Sequence, residues 1–328
     1  MSNLATRTAA LCIALAGAMP AAAAQSSAEA AGYPAKPIRI LVGFTPGGGP
    51  DITARYIAQK LTETWKQQVI VDNRPGAGGT VAAATAANAN ADGYTLLSVS
   101  SAHAVAPAIY PKLPYRMNDL AGISLTATSK YLLVVSPSSP AKTVKDLLAL
   151  AKARPGQLNF SSAGVGSGSH FAAEQFKAMA GVDVVHVPYK GIPEALTDAM
   201  TGRVQFFMAP IANALALVRD GKVRALGVSS RARDPLVPEL PTLAESGVPG
   251  YESILWFGLL APNRMPAALV SKLNGEVRHI LGDAETRTRW LPLGLEPKPT
   301  SPAQFDALVA DDTATFTQLA RAGNIRAD

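Results

Sequence analysis

The sequence predicts an α/β protein built as two lobes, and three observations carry that expectation. Short apolar runs alternate with helix-like periodic segments over residues 38–99, and again over 131–228. Most of these runs end in a turn rich in glycine, proline or serine that opens the next helix. The chain then closes with one apolar segment and two helices, which are too few to form a domain and must return to cover the first sheet.

Residues 38–44 are apolar nearly throughout, as in a strand buried on both faces. The turn Thr45-Pro-Gly-Gly-Gly-Pro50 leads into a helix whose Ala54, Ile57, Ala58, Leu61 and Trp65 share one face. Asp51 is expected to be its N-cap. Residues 69–71 form the next strand, 73–79 a second glycine turn, and an alanine-rich helix runs to about residue 89. Asp92-Gly93 turns the chain into a strand over 94–99. This β-α-β-α-β order implies a parallel sheet with right-handed crossovers.

The second set starts with a strand at 131–135 and a helix at 144–153 that Pro155-Gly156 ends. A strand at 158–161, the serine/glycine turn 162–170 and a helix to about 180 follow. Strands at 182–187, 206–209 and 223–228 enclose helices at 194–201 and 213–219. Residues 253–261 read as the returning strand. Leu269, Leu273, Val277 and Leu281 line one closing helix. Phe305, Leu308 and Phe316 line the other, with Ser301 as N-cap and Pro302 in its first turn. Crossings near 126–132 and 250–255 then join a lobe of 33–130 plus 254–328 to a lobe of 131–253. Two crossings make a hinge-closing architecture.

Composition removes several function classes. With 48% hydrophobic and 16% charged residues the chain is not disordered. One cysteine, Cys12, excludes a disulfide framework and a cysteine zinc site. A net charge of +6 favours an anionic partner, but no polybasic run appears and aromatics are only 6%, so no nucleic-acid partner is expected. Residues 1–24 carry one charge, Arg7, then a short apolar stretch and Ala22-Ala23-Ala24, the pattern of a cleaved secretory signal. That stretch is too short for a permanent span, and none later is long enough, so no membrane insertion of the mature chain is expected.

The glycine turns at 45–50, 74–79 and 162–169 fall at carboxyl ends of strands, where open α/β sheets bind ligands. Glycine lets backbone N–H groups approach an anion, and the following helix start favours negative charge. None is Gly-x-Gly-x-x-Gly or a Gly-Lys-Ser/Thr loop. Ser167, within Gly164-Val-Gly-Ser-Gly168, is not in a Gly-x-Ser-x-Gly elbow. The histidines, His103, His170, His186 and His279, have no metal-ligand spacing, and no cofactor or metal is expected. His170, at a helix start beside a serine, suits a ligand or capping group. Tyr189 and Lys190 follow a strand end, and Trp256 reads equally as a cleft wall or a core residue.

A set of motifs in fixed order covers essentially the whole mature chain. It begins with Tyr33-Pro-x-Lys-Pro-Ile-Arg39, Phe44-x-Pro-Gly-Gly-Gly-x-Asp51, Asn73-Arg-Pro-Gly-Ala-Gly-Gly79 and Asp92-Gly-Tyr-Thr-Leu-Leu97. Ser162-x-Gly-x-Gly-Ser167, His186-Val-Pro-Tyr-Lys-Gly191, Leu240-Pro-Thr242, Pro249-Gly-Tyr-Glu252 and Trp256-x-Gly258 complete it. The sequence resembles the Bug receptors (Bordetella uptake gene family), the substrate-binding proteins of tripartite tricarboxylate transporters. The resemblance implies a type II-like periplasmic binding protein, monomeric and without catalysis. Such a protein takes a small organic carboxylate between its lobes and delivers it to membrane transporter subunits. It also implies that the loops 44–49 and 162–169 hold one carboxylate.

The candidate contacts in the first loop are Phe44, Thr45, Pro46, Gly47, Gly48, Gly49 and Asp51, with Ser101 nearby. In the second loop they are Ser162, Gly164, Gly166, Ser167, Ser169 and His170, with Tyr189 and Trp256 completing the cleft. The chain departs from the family at Gly43, where proline is usual, and at Gly202-Arg-Val-Gln205, where Gly-Gln-Val-Asp is common. The competing reading is an exported α/β hydrolase or lyase using a cleft serine. Intact-mass measurement of the exported protein is expected to lack residues 1–24; retention of Cys12, or a lipid on it, would contradict the signal reading.

Overall fold

The computed structural model describes residues 32–327; the expected leader, residues 1–24, lies outside them. In chain order the elements are β1 (Ile38–Val42), α1 (Gly49–Trp65), β2 (Val69–Asn73), α2 (Thr80–Ala87), β3 (Thr95–Ser100) and α3 (Ala102–Ile109). The long strand β4 (Leu120–Val135) follows. Next come α4 (Val144–Ala153), β5 (Asn159–Ser162), α5 (Gly168–Ala180), β6 (Val185–Pro188), α6 (Ile192–Thr201), β7 (Phe206–Pro210), α7 (Ile211–Arg219) and β8 (Arg224–Val228). The return comprises β9 (Ile254–Pro262), α8 (Ala267–Gly282), α9 (Ala284–Trp290), β10 (Glu296–Pro297) and α10 (Pro302–Ala322).

The strands run in the order β2-β1-β3-β9-β4-β7-β5-β6, with β8 and β10 also paired to β4. β1 is parallel to β2 and β3, and β5 is parallel to β6 and β7, as the alternating pattern predicts. The sheet is not parallel throughout. β9 is antiparallel to both β3 and β4, and β4 is antiparallel to β7 and β8. Between Leu120 and Lys130, β4 pairs with β9; from Tyr131 onward it pairs with β7 and β8. The change of partner falls where the sequence suggests a crossing. Beside it, the Ser253 N–H donates to the Ser229 carbonyl, tying the start of β9 to the end of β8.

The first part of β4 escapes sequence reading because its small polar residues look like a connection. Ser124, Thr126 and Ser129 are nonetheless buried. Ser124 exchanges hydrogen bonds with Thr300, and Ser129 donates to the Gly294 carbonyl, so the segment that returns from α9 satisfies these two serines, while the Thr126 hydroxyl has no partner among the described residues. Two short helices, α3 and α9, are also absent from the sequence expectation.

The closing helices cover the first half of the sheet, as their number and apolar faces require. Ser301 caps α10, accepting from the Gln304 N–H at 3.3 Å while the Gln304 side chain accepts from the Ser301 N–H at 3.0 Å. Phe305 packs on the strand at Gly258, where any side-chain carbon would overlap its ring. The Trp256 indole stands edge-on to Phe305 and donates to Asp312 of α10 at 2.5 Å.

Burial pushes the Asp312 carboxyl above its ordinary value, and the Trp256 hydrogen bond offsets only part of that rise. The folded chain therefore holds this proton more tightly than the unfolded chain does. Its contribution to stability is full below the ordinary carboxyl pKa and is lost as pH rises through the raised value. Asp312→Asn keeps an acceptor for the indole and carries no charge. Its Tm is expected to equal or exceed that of wild type at pH 8; a clear drop would show that the charged carboxylate is the stabilising form.

Candidate functional site

Four helices begin at one pocket. The N-caps Gly48 of α1, Ser167 of α5, Gly191 of α6 and Pro210 of α7 all line it. The first N–H groups of a helix lack partners within it, and the dipole makes that end positive, so these starts direct positive potential at a shared space. The pocket and its mouth enclose about 500 Å³, and its lining contains no Asp, Glu, Lys, Arg or His.

The first wall is the loop after β1. It passes so close to the second glycine turn that a side-chain carbon on Gly43 would lie 2.6 Å from the Gly79 Cα. That contact explains glycine at position 43. Gly47 has φ 90°, the left-handed region that favours glycine. Asp51 is not the N-cap. The helix starts two residues earlier, and Asp51 reaches back from its first turn to accept from the Gly47 N–H at 3.0 Å. It also accepts from Arg55 at 3.0 Å and Asn73 at 2.9 Å. Burial alone would raise the Asp51 carboxyl; the bonds from Arg55, Gly47 and Asn73 hold it below its ordinary value instead. Gly47 N–H is thus occupied, whereas the N–H groups of Gly48 and Gly49 have no hydrogen-bond partner among the described residues. A side chain on Gly49 would enter the Phe257 ring, but one on Gly48 would meet nothing closer than 3.8 Å.

The second wall is the loop between β5 and α5. Ser167 caps α5, its Oγ accepting from the His170 N–H at 3.3 Å and lying 3.1 Å from Ser169 Oγ. Ser169 Oγ in turn accepts from the Ala163 N–H at 3.0 Å. Gly164 and Gly166 have φ 114° and 79°, which lets the loop fold back on itself. The N–H groups of Gly168 and Ser169 have no partner among the described residues. The Tyr131 and Ser101 hydroxyls both pack directly against Gly168.

Beneath this loop two histidine rings stack at 3.8 Å. His186 Nε2 meets Ser162 Oγ at 2.6 Å, and His170 Nδ1 accepts from the Gly166 N–H at 3.2 Å. Burial, then the neighbouring His186 and Lys177 charges, pushes His170 down to about 3; burial and Lys177 push His186 down to about 4. Both rings are neutral near neutral pH and support the loop from behind.

The pocket therefore gathers Phe44, Thr45, Gly48, Gly49, Ser167 and Ser169 from the sequence candidates. Pro46 and Gly47 lie in the loop without lining the pocket, and Asp51 holds that loop from behind. Ser162, Gly166 and His170 sit under the second loop, and Ser101 stands behind Tyr131. Gly164 and Tyr189 line the adjoining cavity with Lys190, and the Tyr189 hydroxyl donates to Asp198 at 2.6 Å. Trp256 faces α10, on the opposite side of β9 from Leu255 and Phe257, which do line the pocket. Strand alternation carries that signal: once Trp256 is assigned to the core, its neighbours must face the cleft. Ser100, Tyr131, Ile192, Pro193 and Pro210 also line the pocket and were not anticipated. Gln205, where a family carboxylate was expected, accepts from the Asn159 N–H at 2.7 Å and serves the sheet.

The lobes meet across the cleft. Asn213 Nδ2 of α7 donates to the Gly47 carbonyl at 3.0 Å, and Gly191 sits against Thr45 Oγ1. Two α/β halves closing on a pocket of helix starts define a solute receptor of the periplasmic-binding-protein fold. The comparisons agree: residues 53–325 match the model of the tripartite tricarboxylate transporter family receptor, TctC. The chain is 36% identical over 289 residues to a UPF0065 protein in the tcbD-tcbE intergenic region of Pseudomonas sp., covering 88% of this chain and 86% of that protein. To protein BugT of Bordetella pertussis it is 33% identical over 292 residues, covering 88% and 90%. The structure of R. palustris Rpa4515 with adipate superposes with a TM-score of 0.86 at 34% identity, covering 90% of this chain and 99% of that one. The chain belongs to the TctC family of tripartite tricarboxylate transporter receptors, which includes the Bug proteins, and it is a receptor rather than an enzyme. This replaces the hydrolase alternative.

The histidine pair yields a pH prediction. Both rings have folded values below the ordinary 6.5, so their contribution to stability is present above pH 6.5 and is lost as pH falls toward 4 and 3. Tm measured across that range is expected to fall less steeply for His186→Asn than for wild type. Parallel curves would mean that the pair does not titrate with unfolding.

Proposed function

We propose that this receptor binds a small organic carboxylate between its lobes in the periplasm and presents it to the membrane subunits of a tripartite tricarboxylate transporter. The carrying observation is the convergence of helix N-caps on a pocket whose lining has no charged side chain. Free N–H groups at Gly48, Gly49, Gly168 and Ser169 suit a carboxylate held from both lobes. Each charge-assisted bond is worth about 1.5–3 kcal/mol. Two or three beyond desolvation support binding near −8 kcal/mol, about micromolar. Adipate, with which the R. palustris neighbour was solved, is itself a carboxylate.

In this reading residues 1–24 are removed on export, and the mature chain acts as a monomer. Residues 33–130 with 254–328 form one lobe and 131–253 the other. Among the described residues no helix is long and apolar enough to cross a membrane. The ligand stabilises the closed state because it touches both lobes.

Gly48→Val tests the site. Gly48 has φ −79° and ψ 164°, which valine adopts freely, and its side chain would project into open space at the clamp. Calorimetry is expected to show carboxylate binding nearly abolished with Tm retained. Wild-type affinity in this variant would mean that the anion is held elsewhere. Ser167→Ala is the weaker test, since Ser167 also caps α5 and its loss costs about 0.5–2 kcal/mol of stability.

A further inference from the structure

We infer that the Tyr131 hydroxyl is a direct ligand contact, donating to the carboxylate beside the N–H groups of Gly168 and Ser169; this rests on the reading of the cleft as a carboxylate site. Tyr131 is 1% exposed, yet it lines the pocket. What reaches the wall is its hydroxyl. A side-chain carbon on Gly168 would overlap that oxygen and lie 2.9 Å from Ser101 Oγ. The hydroxyl thus fills the space that a side chain at position 168 would take, next to the open donors at the start of α5.

The surroundings leave its proton to a ligand. Among the described residues no carbonyl or carboxylate accepts from this hydroxyl, and its polar neighbour is the Ser101 hydroxyl, which can rotate to donate to it. Burial holds the phenol above its ordinary value, so it stays protonated and serves as a donor. The other hydroxyls at this start are partly committed. Ser167 Oγ accepts from the His170 N–H and Ser169 Oγ from the Ala163 N–H, and the two lie 3.1 Å apart, so one proton is shared between them. A buried hydroxyl without an acceptor is costly, and a carboxylate oxygen in the pocket supplies one.

The backbone holds this donor in place. Tyr131 lies where β4 changes partners, and its N–H donates to Ser229 Oγ at 2.9 Å while its carbonyl accepts from the Ser229 N–H at 2.9 Å. Lys130 before it pairs with Asp234 at 2.7 Å. Pro210, its partner on β7, lines the same pocket. A donor fixed before the ligand arrives loses little freedom on binding.

Tyr131→Phe keeps the ring and removes only the hydroxyl. Titration calorimetry on the full mature chain, with butyrate, succinate and adipate as probes, is expected to show each acid that the wild type takes bound about tenfold or more weaker by the variant. The Tm without ligand is expected to be retained. Wild-type affinity in the variant would overturn this inference while leaving the carboxylate reading intact. A second readout uses the wild-type chain alone: with carbon-13 at tyrosine Cζ, the Tyr131 signal is expected to move on saturation with acid. A stationary signal would also overturn the inference. Absence of binding by the wild type to all of these acids would reject both readings.

Discussion

A peptide N–H at the start of a helix has no partner within that helix, and if it is removed from water something else must supply one. Much of this molecule is arranged around that requirement. α1, α5, α6 and α7 each follow a strand at its carboxyl end, and all four begin at the same cleft. At α1 one donor is answered internally, by Asp51 closing on Gly47, and that closure shapes the loop for the donors left open. At α5 the Ser167 cap takes the His170 N–H, again leaving the two donors before it unanswered. The same residues that finish the helices thus leave a small number of donors facing one space.

The supporting layer is as specific as the lining. Ser162 and His186 hold the base of the second loop, His170 takes the Gly166 N–H, and Tyr131 together with Ser101 presses on Gly168. None of these groups needs to touch a ligand to matter. They fix the positions of backbone donors that have no side chain of their own to orient them. The Gly43–Gly79 approach does the same for the first loop, since any larger residue at position 43 would push that turn outward.

Much of this was legible in the residues. The apolar runs and glycine turns gave the strands, most helices and both loops, because each is written locally, in periodicity and in turn chemistry. What escaped was set by partners distant in sequence. β4 between Leu120 and Lys130 is a strand because β9 ladders its backbone and the segment near Thr300 satisfies Ser124. The antiparallel sense of β4 and β9 follows from lobe-to-lobe connectivity. Trp256 and Asp51 are residue types that suit a cleft, yet the pairing of one with Asp312 and the other with Arg55 and Asn73 turns both toward structural work. Pro210 carried no local signal, and only the approach of the two lobes gives it a ligand-facing side.

The path of β4 also determines how the molecule can flex. The strand passes from one half to the other without a break, laddered to β9 on one side of the change of partner and to β7 and β8 on the other. Such a joint behaves as a leaf spring rather than a pin: rotation is spread over several residues as added twist, with no single bond acting as an axle. Any change in the angle between the halves must therefore bend or twist a continuous, hydrogen-bonded strand.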